Sequence, residues 1–185
     1  VVRDPCLPKT AWPPTYEHKE DVRMQVSVPL ENGLLADEYG KYAPASAMLA
    51  DHPIKSFPIS ISDAPAATKS FALVFVDFDS TPVCGFTWIH WLAANIPATM
   101  TTIPANASRE LADQFVQGKN SNAGRLVNGD PRISSGYVGP QPPDKAHDYT
   151  LTVYALDTDL PLADGYWLND FIHQSAGHKS EAKRS

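Results

Sequence analysis

Six side chains able to bind a ligand or move a proton fall into three pairs, and the two members of each pair are two residues apart. They comprise two carboxylates, an indole with an imidazole, and an imidazole with a phenol: Asp77 and Asp79, Trp88 and His90, and His147 and Tyr149. Side chains alternate across a β-strand, so each pair is expected on one face if its segment is extended. Carboxylates, imidazoles and phenols are the usual proton donors and acceptors of protein sites. The spacing therefore predicts a polar pocket at the ends of strands.

Each pair taken alone also has a structural interpretation. Two carboxylates that follow an apolar strand can simply be solvated at the strand end. His90 stands inside an apolar segment, where a histidine is commonly a core residue with one local hydrogen bond. The Tyr149 hydroxyl can reach water. The functional interpretation therefore depends on all three pairs meeting at one place.

Two further kinds of site stay open at this point. A hydrolase or lyase that uses an Asp/His pair as acid and base is chemically feasible, and so is a metal site formed by His90, His147 and Asp77 or Asp79. The chain contains neither the Gly-x-Ser-x-Gly sequence of a nucleophile elbow nor the His-Glu-x-x-His spacing of zinc enzymes. We therefore predict a binding pocket in a protein that is not an enzyme, with no catalytic residue, no metal and no cofactor.

Strands are the elements that must position these groups. Alternating or continuously apolar segments predict strands at 57–62, 71–76, 86–96 and 149–156. Short helices are predicted at 110–116 and at 166–173, the second capped by Asp164, with long loops such as 117–146 between elements. The predicted class is mainly β, an antiparallel Greek-key β-sandwich with a few peripheral helices.

Composition argues against several classes of function. The chain has 185 residues, 43% of them hydrophobic, which suffices for a folded core. Its net charge is -6, and Lys and Arg form no stripe, which argues against nucleic-acid binding. No segment approaches the ~20 apolar residues of a membrane span and no signal peptide is evident, so a cytoplasmic protein is expected. The two cysteines, Cys6 and Cys84, are expected to be free thiols.

One domain is predicted between two tails. Residues 1–21 contain four prolines among mixed charges and are expected to be a disordered tail or an addition to the native chain. Met24, just ahead of the first alternating segment, is the expected natural start. Residues 22–175 form the predicted domain, and residues 176–185 are predicted to be a solvated tail.

The three pairs and the sequence around them resemble the phosphatidylethanolamine-binding protein family, in particular its bacterial Raf-kinase-inhibitor-like branch. The family signature is Asp-x-Asp at the end of a core strand, then Trp-x-His, then Gly-x-x-Pro-Pro shortly before His-x-Tyr. All three motifs occur here in that order, the last as Gly139–Pro143 ahead of His147 and Tyr149. The resemblance covers about residues 24–175, almost all of the predicted domain.

This resemblance implies a large antiparallel sheet against a smaller one, with an anion-accepting pocket at one end. It implies that the ligands are phosphorylated or anionic small molecules or lipid headgroups, and that a protein partner such as a kinase or protease is regulated. The implied ligand-binding residues are Asp77, Asp79, Trp88, His90, Gly139, Pro142, His147 and Tyr149. A different function, inhibition of a kinase or protease through surface loops around 117–146, would make no use of the pocket.

Two departures from the family pattern bear on the pocket. The stretch from Asp77 to Pro82 is one residue longer than the usual Asp-Pro-Asp-x-Pro, and Asp148 stands where the family has an arginine. On a strand Asp148 would point away from His147 and Tyr149, so the pocket is expected to persist while an anion-attracting charge is lost.

The pocket motifs contain neither Lys nor Arg, which limits the charge of a ligand. A bare phosphate dianion would be repelled by the two carboxylates. A zwitterion such as phosphoethanolamine fits better, with its ammonium toward an aspartate and its phosphate toward His90, His147 and Tyr149. We therefore expect binding to strengthen as the pH falls and the histidines protonate, and to weaken above about pH 7.

Overall fold

The structure, a computed structural model, describes residues 24–184, with side chains described as far as Lys179. The predicted Pro-rich tail at 1–21 lies outside these residues. The strands are β1 (Gln25–Ser27), β2 (Met48–Leu49), β3 (His52–Pro53), β4 (Ile59–Ser62), β5 (Ser70–Asp77), β6 (Trp88–Pro97), β7 (Thr102–Ile103), β8 (Val116–Gln117), β9 (Tyr149–Leu156) and β10 (Lys179–Arg184). The α-helices are α1 (Thr81–Cys84), α2 (Ala107–Glu110) and α3 (Leu168–Gln174). Within the described chain no helix has the length and apolar character that crossing a membrane requires.

A five-stranded antiparallel sheet forms the centre of the fold, in the order β10-β9-β5-β6-β8. Strands β5, β6 and β8 follow one another across it, and β9 returns after a long connection to lie beside β5, which is Greek-key order. A three-stranded sheet, β1-β4-β7, and the hairpin β2-β3 complete the architecture. The predicted class, a mainly β antiparallel sandwich with few helices, is confirmed.

Both faces of the central strand β5 are buried because it reads as a continuous apolar run. On the face called here the inner face, Phe75 packs in one cluster with Ile59 and Ile61 of β4. On the opposite face Val74 packs in a second cluster with Phe171 of α3. Strand β4, by contrast, alternates buried isoleucine with exposed serine, so it covers the core on one side only.

The two predicted helices are both displaced. The first ends at Glu110, and Val116 and Gln117 instead pair with Ala94 and Ala93 of β6, so sheet pairing overrides the local helical tendency. The second helix begins at Leu168, beyond the reach of the predicted cap. The Oδ1 atom of Asp164 accepts a hydrogen bond from the Gln117 backbone N–H at 2.8 Å, and so ties the segment before the helix to β8.

The predicted solvated tail at 176–185 contains an edge strand. β10 pairs with β9 from Lys179 opposite Leu156 to Arg184 opposite Leu151. The prediction of a tail is therefore wrong over these residues. The charged side chains of this segment suggested a solvated tail. The main-chain hydrogen bonds between paired strands do not depend on side-chain type, however, and charged residues are common on edge strands.

Candidate ligand-binding site

Three strand ends meet at one end of the inner face. Asp77, the last residue of β5, is opposite Trp88, the first residue of β6, and opposite Tyr149, the first residue of β9. Residues directly opposite each other on adjacent strands present their side chains to the same face. The sheet register therefore brings together one member of each of the three pairs.

A bulge in β6 sets the direction of His90. Phe75 of β5 is opposite Trp91, and the next residue, Val76, is opposite Ile89, so His90 is skipped by the ladder. A bulge breaks strict alternation and lets two consecutive residues point to one face. Trp91 packs in the hydrophobic cluster on the inner face, and the ring centroid of His90 lies 5.4 Å from that of Phe75, which belongs to the same cluster. His90 is thereby turned toward the strand ends.

The turn after β5 is held closed by Ser80. Its hydroxyl oxygen accepts a hydrogen bond from the Trp88 N–H at 2.8 Å and lies 2.7 Å from the Asp77 carbonyl and 2.9 Å from the Phe86 carbonyl. Its own N–H donates to Oδ1 of Asp77 at 3.0 Å. The extra residue in this stretch is thus absorbed in a turn that ties the end of β5 to the start of β6.

A cavity of about 250 Å³ lies over these strand ends. Seven of the eight predicted ligand-binding residues line it: Asp77, Trp88, His90, Gly139, Pro142, His147 and Tyr149. Its volume falls below the range typical of drug-sized ligands, so it suits a small group such as a phosphate or headgroup. The structure brings these residues together, and their role in binding stays a prediction.

Asp79 is the predicted residue that does not line the cavity. Strand β5 ends at Asp77, so alternation does not extend to Asp79, and the two carboxylates do not share a strand face. Instead Oδ2 of Asp79 accepts a hydrogen bond from the Asp148 N–H at 3.0 Å. Asp79 thereby joins the turn after β5 to the segment before β9.

His147 is held between two carboxylates. Its Nδ1 lies 2.8 Å from Oδ2 of Asp77, and its Nε2 lies 2.9 Å from Oδ1 of Asp144. The side chains of His147 and Asp77 are 1% and 5% exposed. A carboxylate only accepts, so both ring nitrogens donate and the ring is an imidazolium. The hydrogen bond to Asp77 chiefly raises the pKa of His147 above its ordinary value of 6.5, against the effect of burial.

His90 is buried but has a different set of partners. Its Nδ1 lies 2.6 Å from the Val138 carbonyl oxygen, which can only accept, so this nitrogen carries the proton. Burial lowers the pKa of His90 to about 4, and the ring is therefore neutral near pH 7. Among the described residues Nε2 has no hydrogen-bond partner, and it offers its lone pair to the cavity that His90 lines.

Tyr149 contributes a hydroxyl group that is buried and has no hydrogen-bond partner within residues 24–184. Its ring centroid lies 5.4 Å from that of His90 in an edge-to-face arrangement. Burial, with the negative charges of Asp77, Asp79 and Asp144, raises the pKa of Tyr149, so the hydroxyl keeps its proton. Two side chains of the cavity lining therefore carry one unmatched donor and one unmatched acceptor.

Gly139 acts through its lack of a side chain. A Cβ atom there would collide with the Tyr39 carbonyl oxygen and would lie 2.9 Å from Pro53 and 3.0 Å from the Tyr137 hydroxyl. The Gly139 N–H donates to the Pro53 carbonyl at 2.8 Å. The glycine thus lets the 138–143 segment pack closely against the hairpin β2-β3 and form a wall of the cavity.

Seven further residues that were not predicted from the sequence also line the cavity: His52, Ser80, Val83, Cys84, Val138, Gln141 and Pro143. Ser80 and Cys84 could have been found, since they directly follow the Asp-x-Asp motif. His52 follows the hairpin turn formed by Ala50 and Asp51, whose φ angles are 48° and 60°. Such turns usually have the sequence Asn-Gly or Asp-Gly, and the Ala-Asp sequence of this turn does not predict a hairpin.

A larger groove of about 630 Å³ adjoins the cavity and shares Pro142, Pro143, His147 and Tyr149 with it. Apolar side chains, including four leucines, line most of the groove, and Lys41 and Lys145 also belong to its lining. In the part of the chain that the structure describes, no group of three or more His, Cys, Asp or Glu side chains is arranged to hold a metal ion.

Known proteins with similar sequences support this architecture. YxkA of Bacillus subtilis is 48% identical over 148 residues, which cover 80% of this chain and 88% of YxkA. A UPF0098 protein of Methanothermobacter thermautotrophicus is 36% identical over 123 residues, which cover 65% of this chain and 73% of that protein.

Two solved structures are also similar. YbcL of Escherichia coli, described as a new member of the mammalian PEBP family, gives a TM-score of 0.65 at 27% identity, covering 87% of this chain and 94% of YbcL. CT736 of Chlamydia trachomatis, described as a phosphatidylethanolamine-binding protein homologue, gives a TM-score of 0.64 at 26% identity, covering 88% and 94%. Residues 26–184 match the phosphatidylethanolamine-binding protein family, and the chain therefore belongs to that family.

Proposed function

We propose that the protein is a non-catalytic binding protein whose cavity accepts a small phosphorylated or otherwise anionic group, such as a phospholipid headgroup. The observation that carries this proposal is the buried Tyr149 hydroxyl, which has no partner among the described residues. An unsatisfied buried polar group costs about 1–3 kcal/mol, and such groups are uncommon in native folds. A ligand oxygen that accepts from this hydroxyl removes that cost.

The charges around the cavity favour a zwitterion over a bare anion. Asp77 and Asp144 carry two negative charges, and His147 between them carries one positive charge. Both N–H groups of His147 are already donated to these carboxylates, so the ring attracts an anion by charge alone. Phosphoethanolamine suits this arrangement, because its ammonium can approach the half-exposed carboxylate of Asp144 while its phosphate enters the cavity.

The state of the nucleophiles supports binding rather than hydrolysis. The Ser80 hydroxyl is engaged by three backbone groups, and the Cys84 thiol donates toward the carbonyl oxygens of Ser80 and Phe86 at 3.4 and 3.3 Å. Within residues 24–184 neither side chain is hydrogen-bonded to an imidazole nitrogen. Activation of a serine or cysteine requires such a base, so this arrangement disfavours a hydrolase with a serine or cysteine nucleophile.

The groove beside the cavity supports an amphiphilic ligand. Its lining is mainly apolar and continues from the cavity through Pro142 and Tyr149. A ligand whose polar end fills the cavity can therefore lay an apolar part along the groove. Burial of apolar surface there would contribute roughly 25 cal/mol per Å².

The geometry changes the expected pH dependence of binding. The sequence alone suggested that both histidines gain protons together as the pH falls. In the structure the hydrogen bond to Asp77 raises the pKa of His147 above its ordinary value of 6.5, and burial lowers the pKa of His90 to about 4. A loss of affinity for an anion is therefore expected only as the pH rises through the raised pKa of His147, where its ring loses the proton.

Histidine side-chain NMR during titration with O-phosphoethanolamine tests the proposal. We expect saturable shifts of the His90 ring signals, because Nε2 faces the cavity, and at least tenfold weaker binding in Tyr149→Phe. Tyr137→Phe is the matched control, since this buried hydroxyl donates to the Tyr39 carbonyl at 2.6 Å and lines neither cavity nor groove. Absence of any His90 shift at millimolar ligand would contradict the proposal.

Two other results would establish the alternative functions. Turnover of chromogenic esters or phosphoesters that is lost in His90→Asn would identify a hydrolase. Inhibition of a kinase or protease that survives Tyr149→Phe but is lost in Leu126→Asp would identify a surface-loop inhibitor. Leu126 serves here because it is 94% exposed, whereas much of the 117–146 segment is buried.

A further inference from the structure

Two polar atoms of opposite hydrogen-bonding character stand unmatched at the cavity. Nδ1 of His90 donates to the Val138 carbonyl, and burial lowers the pKa of the ring to about 4, so in the neutral ring Nε2 can only accept. The Tyr149 hydroxyl has a proton to donate and no acceptor among the described residues. The two ring centroids are 5.4 Å apart, and both side chains line the cavity. A ligand that pairs with both must offer a donor to His90 and an acceptor to Tyr149.

The charges facing this pair disfavour a doubly negative ligand. Asp77 at the end of β5, Asp79 in the following turn and Asp144 in the loop before β9 all act electrostatically on Tyr149. His147 is the cation that opposes them, and it is paired with Asp77 and Asp144. The other titratable side chains in the lining are His52 and Cys84. Each further negative charge on a ligand therefore adds repulsion from the carboxylates.

We propose that the cavity selects the singly protonated form of a phosphomonoester, whose P–OH donates to Nε2 of His90 while a phosphoryl oxygen accepts from the Tyr149 hydroxyl. This inference rests on the proposed function and adds the class of ligand and its protonation state. The second ionisation of a phosphomonoester has a pKa near 6. A large share of such a ligand therefore carries the required proton at pH 5–6 and very little does at pH 8.

Related anions lack one of the two features. A phosphodiester and a sulfate ester each carry a single negative charge but no proton to donate. A carboxylic acid loses its proton near pH 4, well below the range in which a phosphomonoester keeps one. A site built to receive a hydrogen bond discriminates strongly against an analogue without the donor, because its own buried group is then left unpaired.

Three ligands that share one aminoethyl group test this selection. They are O-phosphoethanolamine, which is a monoester, glycerophosphoethanolamine, which is a diester, and 2-aminoethyl hydrogen sulfate. Calorimetric titrations of the full chain are made at pH 5.5 and pH 8. At pH 5.5 we expect O-phosphoethanolamine to bind at least tenfold more tightly than the other two. Its affinity should fall more than tenfold by pH 8, since the monoanion disappears.

The sulfate ester is also the control for the titration of the protein. It has no proton to lose in this range, so any change in its affinity reports on groups of the chain, such as His147, rather than on the ligand. His147 loses its proton only as the pH rises through its raised pKa, so we expect that change to be clearly smaller than the change for O-phosphoethanolamine. A pH dependence of the sulfate ester as large as that of O-phosphoethanolamine would overturn the inference.

The variant His90→Asn distinguishes the role of Nδ1 in the fold from the role of Nε2 in binding. The asparagine amide can still donate to the Val138 carbonyl, but it offers no atom at the position of Nε2. We expect its affinity for O-phosphoethanolamine at pH 5.5 to fall to that of the sulfate ester. His173→Asn, a change on the exposed surface of α3, should leave all three affinities unaltered.

The outcomes distinguish this inference from the function on which it rests. Equal affinity for the three ligands at pH 5.5 would overturn the protonation requirement and leave the binding function standing. No binding of any of them at either pH would overturn both. Titration with a short-chain phosphatidic acid, which is a lipid phosphomonoester, then shows whether the ligand is a lipid or a free phosphomonoester. Binding more than tenfold tighter than that of O-phosphoethanolamine supports a lipid lying in the groove, and equal binding supports a free phosphomonoester.

Discussion

His90 on β6 and His147 ahead of β9 line the same cavity and are both buried, yet the first ring is neutral and the second is positively charged. His90 has one hydrogen-bond partner, the Val138 carbonyl, and burial lowers its pKa to about 4. His147 has two carboxylate partners, Asp77 and Asp144, and its pKa is raised. Burial alone therefore does not decide the charge of a histidine, because the partners that receive its protons can reverse the effect of burial.

The difference assigns separate roles to the two sides of the cavity. The His147 side is saturated, since both ring nitrogens and both oxygens of Asp77 have partners, and it supports the loop before β9. The side formed by His90 and Tyr149 keeps one acceptor and one donor unmatched. Changes on the first side should therefore act on folding stability, and changes on the second on ligand binding.

Asp77→Ala is expected to give the largest loss of stability. It removes the carboxylate that receives the His147 proton and the N–H of Ser80, and breaking a buried ion pair costs about 3–5 kcal/mol. We expect the free energy of unfolding to fall by roughly 3 kcal/mol, at the low end of this range, because His147 can lose its proton rather than stay charged and unpaired. Urea denaturation at pH 7 with an unchanged m-value measures it.

Asp144→Ala is the matched control for this change. It removes the other carboxylate of His147, but that side chain is 49% exposed, so the loss should be clearly smaller. Equal losses for the two variants would mean that His147 is held by charge alone and that the burial of Asp77 adds nothing.

His90 should make the protein lose stability on the acid side. Its pKa is about 4 in the folded chain against an ordinary value of 6.5, so the unfolded chain binds the proton more tightly. This contribution is complete above pH 6.5 and is lost as the pH falls toward 4. The shift corresponds to about 3 kcal/mol. Denaturation curves of the protein and of His90→Asn, each compared with its own stability at pH 7, should diverge over this range.

His147 should make the folded protein lose stability as the pH rises, the opposite direction to His90. Its pKa is raised in the folded chain, so its contribution is complete below pH 6.5 and is lost as the pH rises through the folded value. The slope cannot exceed about 1.4 kcal/mol per pH unit for one proton. Asp77→Ala should flatten this part of the curve, because His147 loses its main partner. An unchanged slope in that variant would show that another group titrates there.

Local sequence patterns predicted the strands that carry the site, but not the contacts between them. The 149–156 strand was predicted with the bounds it has, because alternation and β-branched residues mark it clearly. The bulge at His90 depends on the register of β5 and β6, which no local pattern encodes. The pairing of His147 with Asp77 joins residues 70 positions apart. Spacing could therefore show which groups might share a face, and only the register shows which of them touch.

Tyr149→Phe should produce the smallest change in stability and the clearest separation between stability and binding. Its hydroxyl makes no hydrogen bond in the described chain, so its removal takes away an unsatisfied buried group and should leave stability unchanged or slightly higher. Tyr137→Phe is the matched comparison, since both rings pack against Phe75 and only Tyr137 donates a hydrogen bond, to the Tyr39 carbonyl. That variant should lose about 1–2 kcal/mol.

The two tyrosines together decide whether the unmatched hydroxyl exists to bind a ligand. If Tyr149→Phe unfolds at the same urea concentration as the unaltered protein and no longer binds O-phosphoethanolamine, the hydroxyl contributes to binding without contributing to the fold. If instead it destabilises the chain as much as Tyr137→Phe does, the hydroxyl has a structural partner, and the case for a ligand at this position fails. Residues that serve a site are often kept at some cost to stability, and a hydroxyl with no internal partner is the form that such a cost takes here.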